Sequence, residues 1–178
     1  MTRSDRFLCY NAGIVFEGKI VLKGKERMQE PKVVTKSAFT IVGMKYRGKN
    51  ENNEIPEMWQ VFMPEAEKIE HRVNRFVAYG AMDNYDQASG EFDYLAAFEV
   101  DSTEDVPEGL VCWQVPASRY AVLTCTLPTI GQAFEYAYNT WLPQSGYERA
   151  CGPEFEFYDK SFDPADENSK MYLYIPIK

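Results

Sequence analysis

One histidine in 178 residues leaves the chain short of the commonest general base. That residue, His71, sits between Lys68 and Arg72 on what reads as the solvent face of a helix, so a Ser/His/Asp or Cys/His triad has no base. The four cysteines, Cys9, Cys112, Cys125 and Cys151, are far apart and form no CxxC pair. That spacing indicates neither a zinc site nor a disulfide framework, and free thiols in a reducing cytoplasm are expected. A Gly-rich phosphate loop is missing as well. Asp83, Asp86, Glu91 and Asp93 lack the spacing of a calcium loop and read as a solvated acidic turn. Neither a cofactor nor a metal is therefore expected. No apolar run approaches the ~20 residues of a membrane span, and the N-terminus lacks a secretory core, so the expected location is the cytoplasm. Basic charge is also scarce: 19 Lys and Arg stand against 27 Asp and Glu, for a net charge of -8. Nucleic-acid binding, which needs a basic surface to displace counterions, is disfavoured, while a cationic ligand is compatible.

Aromatic residues are abundant, at 15% with 12 Tyr, 11 Phe and 3 Trp. That supply can fill a β-rich core or line a pocket with rings. The stretch Gly152-Pro153-Glu154-Phe155-Glu156-Phe157-Tyr158-Asp159 sets carboxylates among those rings. Strand alternation places Glu154, Glu156 and Tyr158 on one face, with Phe155 and Phe157 on the other. If the first face looks into water, this is an ordinary edge strand. If it lines a cavity, Glu156 is an anion awaiting a cation, or an acid with a raised pKa.

Residues 1–30 alternate short apolar bursts with Asn/Gly and Glu/Gly turns, the pattern of a leader or hairpin. Residues 31–178 read as one domain. Ser37 to Tyr46 predicts a strand, residues 56–73 a helix divided or kinked at Pro64, and Arg75 to Met82 and Tyr94 to Val100 two more strands. The order then repeats: extended segments from Leu110 and Tyr120, a helix over 128–142, and strands at Glu154 to Asp159 and Met171 to Ile177. The predicted fold is α+β: two βαββ modules about a pseudo-twofold, forming an antiparallel sheet whose two helices flank a ligand groove. Trp59 and Phe62 on the first helix and Trp141 on the second fall on apolar faces that suit core or groove. Tyr79 lies mid-strand beside Val77 and Ala81, a small-residue setting that leaves room for a cavity. Trp113, before the break at Pro116, suits either role.

Pro31-Lys32-Val33-Val34, Ile41-Val42-Gly43-Met44 and Ile55-Pro56-Glu57-Met58-Trp59 resemble the opening of the gyrase-inhibitor-like (GyrI-like) small-molecule-binding domain. Pro116-Ala117-Ser118-Arg119-Tyr120-Ala121-Val122, Trp141-Leu142-Pro143-Gln144-Ser145-Gly146-Tyr147, the Glu156 stretch and Tyr174-Ile175-Pro176-Ile177-Lys178 continue the resemblance to the end. The same domain is the effector module of AraC-type and MerR-type multidrug regulators. The resemblance covers 31–178 and implies a pocket for amphipathic, often cationic, aromatic compounds. It implies that Glu156 is the counter-charge at the pocket floor, and Tyr158 matches the Tyr of the family's Glu-x-Tyr pattern. Residues 1–30 lack the helical periodicity of a helix-turn-helix, so direct DNA binding is not expected.

The leading functional expectation is a stand-alone binding protein that senses or sequesters a hydrophobic cation, using ring faces for cation–π contact and Glu156 for charge. Ligand-binding candidates are Glu156, Tyr158, Tyr79, Trp59, Trp141, Phe62 and Trp113, and no residue is assigned as catalytic. One alternative is a GyrI-like hydrolase of reactive cyclopropane-containing compounds, with Glu156 activating water. Another is a gyrase-inhibitor-like protein–protein role for the acidic surface, with the protein partner unidentified.

Overall fold

The computed structural model describes residues 28–178, so the leader or hairpin expected over 1–30 lies almost wholly outside the described residues. Eight strands form one antiparallel sheet: β1 (Lys32–Lys36), β2 (Phe39–Gly48), β3 (Ala78–Asp83), β4 (Phe92–Val100), β5 (Val111–Val115), β6 (Ser118–Cys125), β7 (Glu154–Tyr158) and β8 (Met171–Ile177). Their order is β1-β6-β8-β7-β3-β4-β2-β5. Read from either edge, each strand has a counterpart in the other half, with the pseudo-twofold between β7 and β3. The expected βαββ modules are β2-α1-β3-β4 and β6-α2-β7-β8, where α1 is Glu54–Ala66 and α2 is Ile130–Tyr136. Each module exchanges a leading strand with the other: β1 pairs with β6, and β5 pairs with β2.

That exchange bends the sheet. Only Ser37 and Ala38 separate β1 from β2, and only Pro116 and Ala117 separate β5 from β6. A two-residue link spans at most about 11 Å. In a flat sheet β1 and β2, six strand spacings apart, would stand roughly 29 Å from each other. The sheet therefore curls strongly and brings the linked strand ends together at its corners, while its strand pairing stays open. The enclosed face packs Ile41, Tyr79, Ala81, Leu95, Ala97, Val115, Tyr120 and Phe155 into one buried cluster. The opposite face carries the helices and a larger cluster including Met58, Phe62, Phe98, Phe134 and Leu173.

α1 presents Met58, Phe62 and Ala66 to the sheet at helical spacing, and Glu54 and Glu57 favour its N-terminal dipole. It stops at Ala66 rather than continuing to residue 73. Pro64 lies in its last turn, where the missing N–H and the ring weaken further propagation. The chain after it returns to the sheet through an Arg72–Val100 bridge, leaving His71 half-buried and 4.0 Å from Asp101. The second helical stretch is broken differently from the expected 128–142. A 3-10 turn at Leu127–Thr129 leads into α2, a π-helical turn covers Ala137–Trp141, and a last short turn runs Leu142–Ser145. Pro143 opens that turn instead of ending the helix, and the stop is Gly146 at φ 77°.

Two smaller expectations also change. Asp93 is not a solvated loop residue: it is buried on β4 and pairs with Lys45 at 3.0 Å and Arg47 at 3.5 Å. Cys125 is a buried free thiol and Cys112 an exposed one, while Cys151 is disulfide-bonded rather than free. Among the described residues no helix is long and apolar enough to cross a membrane.

Gly43 marks where the first module tolerates no side chain. A Cβ there would lie 1.9 Å from the Ala96 carbonyl oxygen and 2.7 Å from Ala97 Cα, both backbone atoms of the paired β4. Gly43→Ala should therefore destabilise the fold by at least about 3 kcal/mol, beyond ordinary overpacking. Urea denaturation of variant and wild type checks this, and a loss within about 0.5 kcal/mol would contradict it.

Candidate functional site

Helix α1 packs over β2 and β4, and α2 packs over β6. The middle strands β7 and β3 lie between them and form the floor of the inter-helix region. Strand parity holds as expected on β7, with Glu154, Glu156 and Tyr158 on the helix face and Phe155 and Phe157 on the enclosed face. Glu156 faces Gly80 across the β3–β7 pair, at the pseudo-twofold.

The Glu156 carboxylate is almost fully buried, and among the described residues no cation contacts it. Its Oε2 accepts two hydrogen bonds, from the Tyr94 hydroxyl at 2.5 Å and the Tyr158 hydroxyl at 2.6 Å. Trp59 Nε1 donates in turn to the Tyr94 oxygen at 3.0 Å. The Trp59 ring also meets Tyr158 edge-on at 5.6 Å, and Phe162 covers the other side of Tyr158 at 4.6 Å. Burial pushes the Glu156 carboxyl above its ordinary range, and the Tyr158 and Tyr94 hydrogen bonds pull only part of the way back. The same burial raises both tyrosines, aided by the adjacent carboxylate, so they remain hydrogen-bond donors.

Gly80 creates the space for this group. A Cβ on it would fall 2.1 Å from Tyr94 Oη and 2.3 Å from Glu156 Oε2. A side chain and the tyrosine–carboxylate hydrogen bond cannot occupy the same place.

Glu154, one strand repeat away on the same face, is in a different electrostatic state. Arg149 Nε donates to its Oε1 at 2.7 Å, and Tyr138 Oη donates to the same oxygen. Arg149 is anchored further by the carbonyls of Ala150 and Gly152. Burial opposes the Arg149 charge, but Glu154 and Tyr138 more than offset it and the guanidinium pKa rises. Glu154 is a buried, neutralised carboxylate. Among the described residues Glu156 is the one of the two without a cation.

The structure brings Glu156, Tyr158, Trp59 and Phe62 together, with Phe62 fully buried beneath Trp59 and against Phe98. Trp141 is set apart, in a cluster with Ala121, Leu142 and Ile177, stacked 5.8 Å from Tyr147. The π turn ending at Trp141 breaks the 3.6-residue period on which its placement rested. Tyr79 and Trp113 belong to the enclosed face. Tyr79 is one residue out of phase with Gly80, so a β-strand must send it away from Glu156, and its hydroxyl donates to Glu99 at 2.6 Å. Tyr94, Phe162, Tyr138 and Arg149 join the site from positions that carry no motif of their own. The sequence marks Tyr94 only as the start of a strand, and its parity on β4 is the one signal that could have found it.

A surface cleft of about 400 Å³, lined by Glu67, Arg72, Val73, Phe76 and neighbours, shares no residue with the Glu156 group. Its mixed, solvated walls offer no convergent chemistry. Among the described residues there is no group of His, Cys, Asp and Glu able to hold a metal ion.

Similarity to known proteins places this geometry in context. The transcriptional regulator BrlR of Pseudomonas aeruginosa is 40% identical over 154 residues, covering 85% of this chain and 56% of that protein. The chain thus corresponds to little more than half the length of that relative. Among solved structures, SAV2435 bound to tetraphenylphosphonium has a TM-score of 0.67 at 19% identity, covering 84% of this chain and 94% of that one. The integron cassette protein VCH_CASS2 of Vibrio cholerae has a TM-score of 0.61 at 20% identity, covering 85% and 97%. A hydrolase from Listeria innocua shares the fold more distantly, with a TM-score of 0.56 at 11% identity over 85% and 93%. At these identities the structural likenesses establish the fold alone, and that fold is the GyrI-like effector-binding α+β architecture. The model of the integron-associated effector binding proteins matches residues 32–177, and the chain belongs to that family.

Proposed function

We propose that this domain is an effector-binding module for hydrophobic organic cations, with Glu156 as the counter-charge. The observation that carries the reading is a buried carboxylate that holds two hydroxyl donors and, among the described residues, no cation, framed by Trp59, Tyr158 and Phe162. An isolated buried anion costs several kcal/mol, so a site of this kind gains when a cation enters. The rings add cation–π attraction, worth about 2 kcal/mol when desolvated. The chain's net charge of -8 supports attraction of cations over anions. Its relative BrlR is a transcriptional regulator and its fold neighbour SAV2435 binds tetraphenylphosphonium, which supports a sensing role for a ligand of that class. Trp59, which donates to Tyr94 and meets Tyr158 edge-on, is the α1 side chain that such a ligand displaces on entry.

Glu156→Gln keeps the shape and removes the charge. Its affinity for tetraphenylphosphonium should fall by about 2 kcal/mol, roughly 30-fold, while neutral triphenylphosphine oxide should bind both forms alike. Isothermal titration measures both, and equal phosphonium affinity in wild type and variant would sink the counter-charge reading. Unchanged binding together with lost turnover of a reactive cyclopropane substrate would move the assignment to hydrolysis.

The raised carboxyl pKa gives the pH dependence a definite sign. Below the unfolded-state value Glu156 is protonated in both states, and its contribution to stability is fully present. As pH rises through the folded-state pKa, ionisation of the buried group becomes a penalty and stability is lost. Glu156→Gln should therefore gain stability over wild type on the alkaline side of the transition, and the gap should close at low pH. Wild-type affinity for the phosphonium should rise over the same interval. Thermal unfolding across pH 3 to 9 reads the first, and a pH-independent difference would contradict it.

Arg149→Met should behave in the opposite way, since it strips Glu154 of the one cation that pairs with it among the described residues. A loss of about 3 kcal/mol in urea denaturation is expected, much of it recovered in the double variant with Glu154→Gln. A fully additive double variant would show that the pair is not coupled.

A further inference from the structure

Lys36 ends β1, with two residues between it and the start of β2. Its Nζ lies 5.0 Å from the ring centroid of Phe39, 5.6 Å from Tyr174, 5.7 Å from Phe157, 5.9 Å from Phe155 and 6.0 Å from Tyr79. Significant cation–π contacts occur about once per 70–80 residues in proteins, so five rings around one ammonium is a built cage rather than a chance neighbour.

The cage follows from strand register. Tyr79 faces Phe157 across β3–β7, and Phe155 faces Tyr174 across β7–β8, which sets four rings side by side on the enclosed face. Phe155 and Tyr174 stack at 4.6 Å, and Phe39 arrives from the β1–β2 corner at 5.3 Å from Tyr79. The hydrogen bond from Tyr79 to Glu99 fixes one ring and brings a carboxylate to the rim. These walls are preorganised by the sheet and owe nothing to the helix face where Glu156 lies.

A lysine placed only to protect a strand edge would extend its charge into water. Lys36 is instead half-buried, and among the described residues its ammonium contacts no carboxylate. Burial lowers its pKa, with Glu99 opposing that shift from beyond contact distance. An apolar residue would close the cage without this desolvation, so the position is filled by a cation at a cost.

We propose that the enclosed face carries a second cation site, built for a small organic ammonium ion and filled at rest by the chain's own Lys36. The tethered ammonium acts as a resident ligand at an effective concentration on the order of millimolar or above, so an external ion binds only by evicting it. The cage would suit a quaternary ammonium of the size of tetramethylammonium or choline, smaller than the polyaromatic cations suited to Glu156.

The test uses the full chain and compares wild type with Lys36→Ala, titrating choline and its neutral isostere 3,3-dimethylbutan-1-ol by NMR. Lys36→Ala should bind choline at least about 10-fold more tightly than wild type does and more tightly than it binds the isostere. Adding Glu156→Gln should leave that affinity unchanged, and adding Phe39→Leu should weaken it. Equal choline affinity in wild type and Lys36→Ala, or equal binding of the neutral isostere, overturns the proposal. Loss of choline binding on Glu156→Gln overturns it too, because the ion would then occupy the helix face. If Lys36→Ala fails to fold, wild type decides: the Lys36 ε-methylene protons should lie upfield from ring currents and return toward their ordinary position at saturating choline. Absence of the upfield shift, or no response to choline, counts against the cage.

Discussion

The Glu156 carboxylate sits where the two halves of the sheet meet, in a place that resists its charge, and much of the local architecture answers to that tension. Two tyrosine hydroxyls from β4 and β7 converge on one oxygen. Gly80 has no side chain because their meeting point needs the room. Trp59 closes the chain of donors from α1. Two strands and a helix are thus tied to a single acceptor whose own protonation is balanced between burial and hydrogen bonding.

Glu154 gives the internal comparison. The two glutamates share a strand, a face and nearly the same burial. One is neutralised by Arg149, and the donors to the other among the described residues are both neutral hydroxyls. Burial alone therefore does not distinguish a binding carboxylate from a structural one. The distinction lies in whether the protein supplies the cation itself. On the enclosed face the logic is inverted, since there the rings wait around a cation that the chain does supply.

Much of this was legible in the residues. Period-two alternation placed Glu156 and Tyr158 on one face of β7 and their phenylalanines on the other, and the repeated order of elements foretold two related modules. What failed did so for identifiable reasons. Tyr79 was read from its small neighbours, but without knowing which sheet face bears the helices, parity could not say that it turns away from Glu156. Trp141 was placed by helical period across a stretch that contains a π turn, where that period does not apply. Arg149 lies in a loop, and nothing in a loop sequence states which carboxylate its side chain will reach. The strand exchange between modules was likewise invisible, because pairing of β1 with β6 depends on residues almost ninety positions apart.

That exchange has a kinetic meaning. Neither half can complete its sheet from its own chain, since each needs the other's leading strand to cover its outer edge. The native pairings are consequently long-range, and their closure entropy must be met before most of the core exists. An excised half would present a bare strand edge and an open aromatic face, which is the form in which β proteins associate with the wrong partner. Folding should then proceed as one cooperative event over the whole domain, slow for its size, and the last strand to dock decides when the enclosed face becomes a closed interior.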